Sequence, residues 1–106
     1  MIPKEFQIYG QSIKVEIGNK ELSSIGDVAY ADYLTNTIKL ADFWNNEPVN
    51  ETALEQTFFH ELVHMILEKS GWQRSLFKDK HEEKEHFVEN FAALLHQAIK
   101  TFKYDA

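Results

Sequence analysis

Apolar and polar residues alternate over the first part of the chain. Phe6, Ile8, Ile13, Val15 and Ile17 repeat at every second position on either side of Gly10–Gln11. That period of two predicts a hairpin of two strands within residues 6–17. Residues 18–27 carry turn signals, interrupted by Leu22 and Ile25. In residues 28–40, Ala29, Ala31 and Tyr33 share one side of a third strand. Thr35–Asn36 then forms a turn, and Thr37 to Leu40 a second short strand. Three to four strands are therefore expected over about residues 6–40, followed by a loop or single helical turn over 41–50.

The period then changes. From Glu51 to Lys69 there is no glycine or proline, and Leu54, Phe58, Leu62, Met65 and Ile66 recur at helical spacing. Phe59, Val63 and Leu67 add a second apolar flank, so the helix should be buried on most of its circumference. Asn50 is placed to cap its start, Glu51 suits its first turn, and Gly71 is a stop signal. Residues 72–80 look irregular. A closing helix follows over about 82–102, with Phe87, Phe91, Leu94, Leu95, Ala98 and Phe102 as its bulky apolar face. Strands first and two long helices after predict a single α+β domain over residues 1–106.

Composition narrows the chemistry. Hydrophobic residues at 43% and charged residues at 26% exclude a disordered chain. No cysteine is present, which excludes disulfides, iron–sulfur clusters, thiolate zinc sites and thiol nucleophiles. Any metal must be held by nitrogen and oxygen. The net charge of −6, with Arg74 the only arginine, disfavours a nucleic-acid partner. The first ten residues show no signal peptide, and no apolar run is long enough to span a bilayer. A soluble, cytoplasmic protein with no membrane partner is expected.

Residues 60–64 read His-Glu-Leu-Val-His, an HExxH motif. On a helix, positions i and i+4 stand one turn apart on one face, so His60 and His64 can aim two imidazoles at one ion. Glu61 flanks them and can accept a proton from metal-bound water. Zinc suits the arrangement because it takes nitrogen and oxygen ligands and keeps a position open for water. A third protein ligand is needed. The extended motif with glycine at position 67 and histidine at 70 is excluded by Leu67 and Ser70. The closing helix offers His81, Glu82, Glu83, Glu85, His86 and Glu89, and Glu85 lies nearer the apolar boundary than Glu89. Glu85, Val88, Ala92 and His96 form one stripe, in which Ala92 would permit close approach to the motif helix. For an electrophile that steadies an oxyanion, His81, His86, His96, Tyr30 and Tyr33 all remain open.

The motif, followed by Glu85-x-x-Val88-x-x-Phe91-Ala92, resembles the ImmA/IrrE-type zinc metallopeptidases and the short phage-encoded proteins of the same zincin kind. The resemblance covers about residues 28–100. It implies a minimal zincin-like domain of the gluzincin type, with His60, His64 and Glu85 as Zn2+ ligands and Glu61 as general base. Val88 stands where the family has alanine, Glu89 at its Asn/Asp position, and the family's Leu-Leu-x-Pro ending is absent.

The expected function is a zinc-dependent metallopeptidase acting on a protein or peptide, such as a repressor or other regulator. The alternative is a zinc-binding regulatory or interaction module with little or no hydrolysis. A metal-free helical adaptor is the third reading. Substrate, biological role and oligomeric state are not written in the sequence.

Overall fold

The computed structural model describes residues 2–18, 22, 28–44 and 47–105. Its architecture is α+β. Strands β1 (Glu5–Ile8) and β2 (Gln11–Ile17) form the expected hairpin, with Phe6 opposite Ile13. Tyr9 and Gly10 at the turn both take positive φ, 52° and 76°, the backbone of a type I′ turn that matches the twist of the strands. Strands β3 (Ala29–Asp32) and β4 (Thr37–Leu40) pair antiparallel, with Ala31 opposite Ile38. β2 and β4 run parallel at the centre, so the mixed sheet has the order β1-β2-β4-β3 and β3 lies at an edge.

Alternation along these strands places Ile13, Ile38, Leu40, Ala29 and Ala31 in one core. Helix α1 (Glu51–Ser70) covers it with Phe58 and Met65. The helix is capped as its sequence predicts: Asn50 Oδ1 accepts from Ala53 N at 2.8 Å, and Gly71 ends it in the left-handed region at φ 80°. Its other flank, Val63 and Leu67, packs against Val88 and Ala92 of helix α3 (His81–Lys100). Thus α1 lies between the sheet and α3, buried on two sides as its double apolar pattern requires. The two helices are antiparallel: Glu55 near the start of α1 meets His96 and Lys100 near the end of α3, and His64 meets Glu85.

Three details differ from the sequence expectations. Residues Trp72–Phe77 form a short helix, α2, where irregular chain was expected. Within residues 41–50 a two-residue ladder joins β5 (Phe43–Trp44) to β6 (Glu47–Pro48). The third concerns α3. Its bulky side chains face outward, with Phe91 46% and Leu94 66% exposed, while Val88, Ala92 and His96 are buried. Small and medium side chains let α1 and α3 approach closely, so bulk alone did not mark the packed face. Trp44 and Trp72 are also largely exposed. Leu22 is buried, whereas Ile25 lies outside the described residues. No helix among the described residues is long and apolar enough to cross a membrane.

Candidate metal centre

His60 and His64 project from the same face of α1 because they are one turn apart, and their ring centroids are 5.0 Å apart. Glu85 comes from the second turn of α3. Its Oε2 lies 4.0 Å from His60 Nε2 and 3.7 Å from His64 Nε2. Candidate ligand atoms on the three residues all lie within 4.8 Å of one another, the one such group of His, Asp and Glu among the described residues. Ligands on a tetrahedral zinc at about 2.0–2.1 Å would stand roughly 3.3 Å apart. The observed separations are close to that and need only small side-chain movements.

His64 supplies a second reason to expect an ion. Its side chain is 12% exposed, its Nδ1 is buried without a hydrogen-bond partner, and its Nε2 is too far from Glu85 for a hydrogen bond. The buried, unpaired Nδ1 is a cost to the fold, while Nε2, which faces Glu85, is the atom placed to meet an ion. Burial of the ring lowers its pKa, outweighing the opposite pull of Glu85, and the charges of His60 and Lys84 act in the same direction as burial. The neutral ring this favours is the form that ligates a metal. His60 and Glu85 are about one-third exposed, at 34% and 39%. The cluster is therefore closed on the α1–α3 side and accessible from solvent, as an open coordination position requires.

A groove of about 430 Å³ adjoins the cluster. Its walls include His60, Glu61 and Glu89, and Ala29, Ala92 and Ala93 contribute small side chains. Glu89 thus lines the groove, outside the His60–His64–Glu85 group. Sequence reasoning missed this groove; the signal was the run of small residues at 92 and 93, set against Ala29 on the edge strand.

The other candidates separate clearly. His96 is three turns along α3 from Glu85, its Nε2 3.2 Å from the buried Glu55 carboxylate and its ring stacked on Phe59 at 5.1 Å. His86 lines a different groove on the outer side of α3, and His81 a cavity with Arg74 and three lysines. Tyr33 is half-buried. Burial pushes its phenol up to about 12, and the charges of Glu61, Glu68 and Glu85 push the same way. Its ring packs against the core between the sheet and α1. No family model matches this chain, and no curated protein or solved structure is similar to it.

Proposed function

We propose that this chain is a zinc-dependent peptidase of the HExxH type. The observation that carries the reading is the meeting of His60 and His64 from one helix with Glu85 from another, beside a groove that Glu61 lines. Bound zinc supplies a Lewis acid for the peptide carbonyl and brings the pKa of its water to about 7. Glu61 takes the proton of the attacking water and passes it to the leaving amine. The adjoining groove, with its alanine-rich wall, takes an extended segment of a protein or peptide substrate. The resemblance to ImmA/IrrE-type enzymes favours a repressor or similar regulator.

Metal analysis of protein purified without added metal tests the first step. About one zinc per chain is expected, and almost none in the His60→Ala/His64→Ala double variant. A wild-type chain without metal would sink the proposal. The third ligand has its own test. Glu85→Ala is expected to weaken zinc binding about 100-fold or more in a competition titration, and Glu89→Ala far less. The reverse order would move the assignment to Glu89.

A second reading, a zinc-binding interaction module without hydrolysis, draws support from the modest volume, about 430 Å³, of the groove beside the cluster. It shares the metal predictions and differs in the role of Glu61.

A further inference from the structure

Positive charge is scarce in this chain and unevenly placed. The net charge is −6, with 11 lysines and arginines in all. Four of them, Arg74, Lys78, Lys80 and Lys84, line one cavity of about 310 Å³ together with His81. Asp79, at φ 59° between α2 and α3, reverses the backbone so that the lysines on either side of it both reach the cavity. Glu68 and Asp79 share the wall, yet among the described residues none of the four cations forms an ion pair. Lys84 is half-buried. An unpaired ammonium in that setting is costly, and like charges around one hollow repel. A carboxylate entering the cavity relieves both.

Gln73 lines the same cavity, and its Oε1 is buried with no hydrogen-bond partner. The wall therefore offers several cationic donors and an unfilled acceptor. A simple anion answers only the first. An acidic peptide answers both, with a carboxylate for the cations and a backbone N–H for Gln73.

The cavity continues the line of the metal cluster. Glu68 follows His64 by one turn of α1, and Lys84 directly precedes Glu85 on α3. Because the two helices are antiparallel, the groove of Glu61 and Glu89 lies on the other side of the cluster along the same seam. A four-residue step of helix rises about 6 Å. An extended peptide covers that distance in about two residues, at roughly 3.3 Å each. A peptide lying along the seam with its scissile bond at the cluster thus brings a group one or two residues away into the cavity.

We propose that this cavity is a specificity subsite for a carboxylate of the peptide substrate, from an acidic side chain or the C-terminus, close to the bond that is cut. The proposal rests on the peptidase reading and adds its substrate class. Glu61 and Glu89, on the far side of the cluster, repel the same carboxylate. The opposed charges of groove and cavity therefore set the direction in which the peptide lies.

Retention of random peptides on the immobilised Glu61→Gln chain, loaded with zinc and checked for metal content, tests the subsite without turnover. Two pools are compared, one with free and one with amidated C-termini. Retained peptides are expected to be enriched about tenfold in Asp or Glu at one fixed position. Enrichment confined to the free-acid pool would identify the terminal carboxylate as the occupant. Arg74→Glu/Lys80→Glu, at exposed positions, is expected to exchange the acidic preference for Lys and Arg. Where that variant folds poorly, Lys84→Gln is expected to lower the enrichment about threefold with unchanged circular dichroism. Retention without acidic preference, no retention, or a preference that the variants leave unchanged would overturn the subsite. The peptidase reading fails separately. Acidic retention by a chain that holds no zinc supports the cavity and sinks the peptidase, whereas a zinc-bound chain that cuts peptides irrespective of their charge does the reverse.

Discussion

Replacing Glu61 with glutamine is expected to lower peptide hydrolysis by about a thousandfold while leaving the zinc content of the chain unchanged. The substitution keeps the size and planarity of the side chain and removes only its ability to take a proton. His60, His64 and Glu85, the group that could hold the ion, are untouched. Loss of turnover with retention of metal would therefore isolate proton transfer from binding. The measurement is a peptide-library cleavage assay run beside metal analysis on the same preparation. The interaction-module reading expects no hydrolysis to lose. Cleavage by Glu61→Gln at the wild-type rate would remove Glu61 from the role of base. The same variant, binding substrate without consuming it, is also the form in which to capture a protein target.

Those residues that repeat at a fixed period were legible in the sequence. The hairpin, the β3–β4 pair and both long helices lie where their alternation of two or near-four put them. So does the turn-spaced pair of histidines, because one helical turn is a property of the backbone alone. The short helix 72–77 and the two-residue β5–β6 ladder were not legible, since six residues or fewer hold too little period to register. The face of α3 was misread for a different reason. Its phenylalanines outweigh Val88 and Ala92 on any hydrophobic scale, yet helices approach through small side chains. Glu85 could be favoured but not fixed by sequence, because its meeting with His64 depends on how two helices cross. Glu55 went unnoticed altogether. Its only signal was an acidic residue one turn before Phe58 and Phe59, inside an otherwise apolar arc.

That buried glutamate should carry a large share of the stability. Glu55 is 2% exposed, and its Oε1 accepts from Lys100 Nζ at 2.9 Å and lies 3.2 Å from His96 Nε2. It ties the first turns of α1 to the last turns of α3, far from the metal cluster, and so sets the crossing that brings Glu85 to His64. Glu55→Ala is expected to cost about 2–3 kcal/mol, read as a lowered denaturation midpoint with unchanged slope. The cost arises because His96, itself 8% exposed, loses its partner in the interior, whereas Lys100 can turn to water. Against a total stability of about 5–15 kcal/mol for a domain this size, that loss is large. The cause can be checked by a double-mutant cycle. Glu55→Leu and His96→Leu together should destabilise by less than the sum of the single changes, because an apolar pair leaves no polar group stranded. Strict additivity would mean that the two side chains act separately. The helix crossing would then rest on the apolar cluster of Val63, Leu67, Val88 and Ala92.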